Sequence, residues 1–197
     1  MSEDKAAKPG RRRDPSRDEA ILRATLEAFV DDGYDGVSIE GVAALAGVGK
    51  ATIYRRFSNK AELVVEAVRR GAHMEDDLPD TGDLAADLAD MLRPLVTRLR
   101  GPDGKVLVTL AVERVRNPDL AAAFERSVIG AKRNHLRKLV RSAVDRGDLS
   151  PDADLDLIAE AGPAIIWHHA LHGLPIEQDL PERLVAFLLA SPLPPPS

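Results

Sequence analysis

Apolar residues along this chain recur every three or four positions, and the strict alternation that marks strands is scarce. Ile21, Leu22, Thr25, Leu26 and Phe29 share one face of a predicted helix over 16–32, and Gly33 is placed to stop it. Tyr34 and Val37 are expected in the same core. Val42, Ala43 and Ala46 then mark a short helix opened by Ser38, whose hydroxyl suits an N-cap, although the residue three further on is Gly41 and not the Glu of a capping box. Gly47 supplies a tight turn, and Val48, Ile53 and Phe57 give the next helix its buried side, so Val37 to Lys60 reads as a helix-turn-helix. Lys50, Thr52, Tyr54, Arg55 and Arg56 fall on the outward side of that second helix. Asn59, with Glu62 three residues on, opens a fourth helix reaching about Arg70.

A polar break at Glu75 to Gly82 separates this head from a second helical stretch. Asp83 caps a helix bearing Leu84, Leu88, Met91, Leu92, Leu95 and Leu99, with Pro94 expected to kink it and Gly101-Pro102 to end it. Val106, Leu107, Leu110 and Val115 form the next stripe. Asn117-Pro118-Asp119 is a start signal, a cap followed by proline at the first helical position. The long helix after it carries Leu120, Phe124, Val128, Ala131, His135 and Leu139 on its apolar face and closes at Arg146-Gly147. Two more helices follow at about Asp154 to His172, with Gly162-Pro163 expected to bend it, and Leu180 to Ala190, with Asp179 and Glu182 as capping residues. The predicted architecture is all-α, about nine helices, divided into a flexible basic arm (1–15), a helix-turn-helix head (16–72), a second helical domain (83–191) and a Pro-rich tail (192–197).

Composition changes this picture little: 197 residues, 44% apolar and 30% charged, are ordinary for a globular chain. The absence of cysteine excludes disulfides, thiolate metal sites and cysteine nucleophiles. No run is apolar for long enough to span a bilayer and the N-terminus lacks a secretory core, so the expected location is the cytoplasm. Charge is more informative. The net charge is -5, yet residues 1–70 hold 13 Lys and Arg against 12 Asp and Glu. Two stretches, Lys5 to Arg13 and Gly49 to Lys60, contain no acid. A solvent-facing helix with four basic residues in an acidic chain points to a polyanion, of which DNA is the obvious one. The Lys5–Arg13 arm is either a solvated tail or an arm lying along phosphates or in a minor groove.

Three features occur here in fixed order: the Gly33-Tyr34 turn, Thr52-x-Tyr54-x-x-Phe57, and Asn59-Lys60-x-x-Leu63. With them the chain resembles the TetR family of transcriptional regulators, most closely from Ile21 to Leu63 and by pattern alone further on. The resemblance implies a dimeric, ligand-responsive regulator, in the family's usual mode a repressor, bound to a palindromic double-stranded DNA operator and released by a small-molecule effector. Carried over by position, it implies that Thr52 and Tyr54 approach DNA, Tyr54 through its hydroxyl on a phosphate and its ring near thymine methyls. Lys60 would meet a phosphate at a helix N-terminus, as would Ser38. Lys50 and Arg55 complete the set, with Arg55 lying along the backbone. Arg56 stands where many members have histidine and would either read guanine in a bidentate way or simply bind a phosphate. Gly49 replaces the usual serine, so a cap is missing there.

The second domain would hold the effector and the dimer interface. Met91, Leu95, Leu110, Phe124, Val128, Ile166 and Trp167 are candidate pocket residues, with Glu113, Arg114 and His135 as polar contacts; against each stands the plainer reading that helical stripes fill the core. With one Trp and four Phe in the chain, an aliphatic or small polar effector fits better than a flat aromatic one. Ile165, Ile166, Leu171, Leu184, Val185, Phe187 and Leu188 offer more apolar surface than two terminal helices need and are the candidate homodimer interface, the alternative being that they fill the core of one copy. His168 and His172 are one turn apart, as zinc ligands can be, but no third ligand is evident beside them or His169, and no metal or cofactor is expected. Two rival classes remain. An enzyme would use Glu113 and His135, but the chain has no phosphate loop or nucleophile elbow; a helical adaptor would have kept the fold and lost DNA binding, against which the basic patch speaks.

Overall fold

The computed structural model describes residues 15–76 and 78–190, so the basic arm and the Pro-rich tail lie outside the described residues. Among those described there is no strand, and the helices are α1 (Pro15–Gly36), α2 (Ile39–Leu45), α3 (Lys50–Tyr54), α4 (Lys60–Gly71), α5 (Leu84–Arg100), α6 (Gly104–Arg116), α7 (Pro118–Phe124), α8 (Gly130–Arg146), α9 (Leu155–His172) and α10 (Leu180–Ala190). A π turn (Glu125–Ile129) joins α7 to α8, so the two form one long helix and the expected nine are recovered. No helix among them is long and apolar enough to cross a membrane.

Local chemistry sets most boundaries. The hydroxyl of Ser38 accepts from Gly41 N at 3.0 Å, Asp83 from Ala86 N at 3.1 Å and Asp154 from Leu157 N at 3.0 Å, each taking up an otherwise orphan N–H. Asn59 accepts from Glu62 N at 2.9 Å, and the Glu62 carboxylate reaches back to Ser58 N at 3.0 Å. Gly33, at φ 71, breaks the helical run of α1 as expected. Asn117 departs from expectation. Pro118 does open α7, but the Asn117 side chain donates backwards to the carbonyl and carboxylate of Glu113 and does not cap.

Pro94 and Pro163 lie inside α5 and α9, which continue through them. Glu182 reaches Arg93 on α5 at 2.6 Å, a tie between helices.

Two further stripes differ from the helical-wheel reading. Val115 is 86% exposed, because α6 buries Leu107 and Leu110 and the next turn of that face falls on Arg114. In the long helix the π turn adds one residue to a turn, which rotates everything after it. Ala131 is therefore exposed, His135 is half-buried, and the buried face runs through Leu136, Leu139, Val140 and Ala143.

The buried side chains form two clusters. One joins α1–α4 to Leu107, Leu110, Leu120, Ala123, Phe124 and Val128, so the head's core is continuous with α6, α7 and the π turn. The other is built from α5, α8, α9 and α10, around Leu92, Val140, Ile158, Ile166 and Leu184. The segment between α4 and α5 is tied to this scaffold: buried Asp87 accepts from the N–H and hydroxyl of Thr81, and His135 Nε2 lies 2.6 Å from Pro79 O.

Candidate nucleic-acid interface and internal cavity

The turn between α2 and α3 is a Schellman motif. Val48 N donates to Ala43 O at 3.0 Å and Gly47 N to Ala44 O at 3.3 Å, which requires the left-handed φ of 63 that Gly47 adopts. Fully buried Ile53 then anchors α3, so its other side is presented outward. Tyr54, 55% exposed, and Arg55, also exposed, stand on that side, with Thr52 half-buried beside them. Lys50 is exposed too, but its Nζ is 2.7 Å from Glu40 Oε1. Each holds the other's charge in place: their mutual hydrogen bond lowers the pKa of Glu40 and raises that of Lys50. The Lys50 and Glu40 side chains are 55% and 64% exposed, where an ion pair adds little to stability.

Arg56 is not on the outward face. Its guanidinium lies 2.5 Å from Asp18 Oδ1 on α1, and its side chain is only 19% exposed. Paired with Asp18 on α1, Arg56 is not presented beside Tyr54 and Arg55, as its expected part in reading guanine would require. The reason is local: Arg56 stands three residues after fully buried Ile53, on the side of the turn that faces the core, and both Arg56 N and Phe57 N bond Ile53 O, at 2.9 and 3.0 Å. Lys60 is also engaged at home, donating to Tyr34 O at 2.9 Å and sitting 4.2 Å above the Tyr34 ring. Burial, then Asp119 and Asp35, raises the Tyr34 pKa, so the ring stays a neutral platform for this cation. Ser38 is exposed at the start of α2 with its oxygen used as cap.

The second site is a cavity of about 380 Å³ at the seam of the two buried clusters. Met91, Leu95, Phe124, Val128 and Trp167 line it as expected, and so does Arg114. Four expected residues do not. Leu110 and Ile166 are packed into the two cores, Glu113 faces the Gly33 turn, where a Cβ would lie 2.9 Å from its Oε1, and His135 is turned to Pro79. Position on an apolar stripe does not distinguish core from cavity wall.

Sequence reasoning missed the basic side chains of the wall, Arg98, Lys132 and Arg133. Arg98 is the most connected. It donates to Ala72 O at 2.8 Å and to His73 O, and pairs with Asp76, which also pairs with Lys132. Those carbonyls are the C-terminal end of α4. There Met74 N bonds Arg69 O at 2.8 Å and His73 N bonds Arg70 O at 3.2 Å, a second Schellman turn, with His73 at φ 46 where glycine is usual. Burial alone would raise the pKa of Asp76; hydrogen bonds from Arg98 and Lys132 outweigh it and hold the carboxyl below its ordinary value.

At the far end of the molecule the expected dimer residues divide. Leu184, Val185 and Leu188 are 7%, 3% and 7% exposed and Ile166 is fully buried, all within the protomer's own core, which corrects their assignment to an interface. Ile165 is half-buried. Phe187 at 65% and Leu171 at 50% are exposed, as is Leu174 at 42%, a residue not foreseen. The His168 and His172 rings lie 4.5 Å apart, and His169 Nδ1 is 2.6 Å from Pro175 O. Among the described residues no group of three His, Cys, Asp or Glu could hold a metal ion.

Comparison with known proteins bears on the whole chain. Residues 21–67 match the model of bacterial regulatory proteins of the tetR family, and residues 78–188 the model of a tetracyclin repressor-like C-terminal domain. An uncharacterised HTH-type transcriptional regulator of Mycobacterium tuberculosis is 33% identical over 177 residues, covering 87% of each chain. The DNA-binding transcriptional repressor TetR of Mycobacteroides abscessus is 32% identical over 174 residues, 88% of this chain and 92% of its own. A solved TetR family transcription regulator superposes with a TM-score of 0.67 at 27% identity, over 91% of this chain and 100% of its own. FadR from Bacillus subtilis, in complex with stearoyl-CoA, shares the fold with a TM-score of 0.68 at 19% identity, over 87% and 97%. These relatives are transcriptional regulators by name. With a reading helix presented by a Schellman turn, a basic clamp on α4 and family matches at both ends, the chain belongs to the TetR family of DNA-binding, ligand-responsive transcriptional regulators, which act as dimers.

Proposed function

We propose that two copies of this chain occlude a promoter by reading a palindromic operator in the cytoplasm, and that a small molecule entering the seam cavity releases them. Tyr54, Arg55 and Thr52 on α3 face the major groove. Lys50 and Lys60 exchange their internal partners for phosphates, and Ser38 contacts the backbone at the start of α2. Phe187, Leu171 and Leu174, the exposed apolar residues of the α9–α10 end, meet the partner copy. One head reads few base pairs, so the spacing of two heads sets specificity.

The observation that carries the ligand response is Arg98. Its side chain is on the cavity wall while its nitrogens hold the carbonyls of Ala72 and His73. An occupant that moves Arg98 loosens the end of α4, and α4 carries the orientation of the head. His73 suits such a device, because its left-handed backbone is costly for a residue with a Cβ and is retained by its neighbours.

Selection of binding sites from random duplex DNA at about 150 mM salt, where screening over roughly 8 Å suppresses loose attraction, tests this reading. The expected product is an inverted repeat with half-sites about one helical turn apart. A folded dimer that enriches no sequence contradicts it and favours the adaptor.

A further inference from the structure

We propose that the effector is an anion with an aliphatic body, and that Arg114 is the residue that pairs with its charge; this rests on reading the seam cavity as the effector site. Four cations line the cavity, and three have carboxylate partners: Arg98 and Lys132 share Asp76, and Arg133 pairs with Glu125. Arg114 has no ion pair among the described residues, and its Nε is buried with no hydrogen-bond partner. Its guanidinium lies 4.7 Å from the centre of the Phe124 ring, which covers one face of the group. Burial lowers its pKa, opposed only by the more distant charge of Glu125.

A half-buried cation with an orphan donor is held at a cost, and a carboxylate or similar anion arriving beside it recovers that cost through charge-assisted bonds. The rest of the wall suits a chain. Met91, Leu95, Val128 and Trp167 are apolar, and the acid of the lining, Glu160, is exposed. A cationic effector would meet three paired cations and Arg114, a neutral one would leave Arg114 unsatisfied, and an anionic one is complemented.

The chain has one tryptophan, Trp167, and it is in the cavity wall, so its fluorescence reports occupancy directly. Decanoate and decanol share the same length of chain and differ in charge. Titrating both into the full-length dimer, we expect decanoate to bind about tenfold or more tightly than decanol. Arg114→Gln is expected to abolish that preference, Arg114→Lys to keep part of it, and Arg146→Gln, outside the cavity lining, to leave it in place.

Equal binding of the two probes by the parent protein overturns the anion proposal without any variant having to fold. A preference that survives Arg114→Gln overturns the assignment to Arg114 and leaves it a packing residue over Phe124. If neither probe perturbs Trp167, the reading of the cavity as an effector site falls, and the inference with it.

Discussion

The two buried clusters divide the molecule differently from its two matched domains. The first runs from the head across into Leu107, Leu110, Leu120, Phe124 and Val128, whereas the second keeps to α5 and α8–α10. Half of α6 and all of α7 thus belong mechanically to the head, although they follow the polar break in sequence. The cavity is at the junction, with Met74, Leu107, Phe124 and Val128 from the first cluster on one side and Leu88, Leu92, Leu136 and Ile158 from the second on the other. The seam lies between the part that carries the helix-turn-helix and the part that presents the apolar end, and on the proposed function an occupant there acts on head position.

Breaking this division should give different signatures on its two sides. Leu120, fully buried in the first cluster, lies outside the head in sequence. Leu120→Ala is expected to lower stability by about 2–5 kcal/mol in denaturant melts and to weaken operator binding, because it hollows the head's own core. Operator binding unaffected at matched folding would mean that the first cluster is not one unit.

At the opposite end, Phe187→Glu with Leu171→Glu alters residues that are 65% and 50% exposed. Light scattering should show the mass of one copy, with a melting temperature that is lower and no longer depends on protein concentration, and about a hundredfold or greater loss of operator affinity as the second head is lost. A dimer of parental mass places the interface elsewhere.

At the start of α5, Asp87→Ala leaves the N–H and hydroxyl of Thr81 unpaired beside a site only 1% exposed, and a loss of about 1–3 kcal/mol is expected by thermal melting. Smallest at neutral pH is the acid response of the α4 clamp. Because the folded pKa of Asp76 is lowered, its contribution is full above the ordinary value of 3.8 and is lost as pH falls through the lower folded value. Amide exchange at residues 72–74 should therefore stay slow down to about pH 4 and quicken below it, and Asp76→Asn should quicken it at neutral pH.

Much of this was legible from residue spacing. The limits of α2, α4, α9 and α10 follow from Ser38, Asn59, Asp154 and the apolar runs, since caps and turns are local chemistry. What spacing could not carry is where one helix meets another. Its charge put Arg56 with the outward residues, although it stands three positions after buried Ile53, and spacing gives no sign that Asp18 of α1 meets it there. The π turn is invisible to a fixed period and moved the apolar face off Ala131. Leu110, Ile166, Leu184 and Leu188 were read as pocket or interface because an apolar side chain looks the same in sequence whichever neighbour it packs against. The clamp by Arg98 spans 26 residues to Ala72, and a lone arginine in a predicted helix gives no sign of it.

The most direct test of the account is the operator affinity of Arg98→Gln, measured beside amide exchange at residues 72–74. Faster exchange at the end of α4, with affinity reduced by about 5–150-fold in a protein that remains a dimer, is expected if the clamp couples cavity to head. Affinity and effector release identical to the parent, with the end of α4 loosened, would show that the head takes no instruction from that end of α4 and would contradict the account.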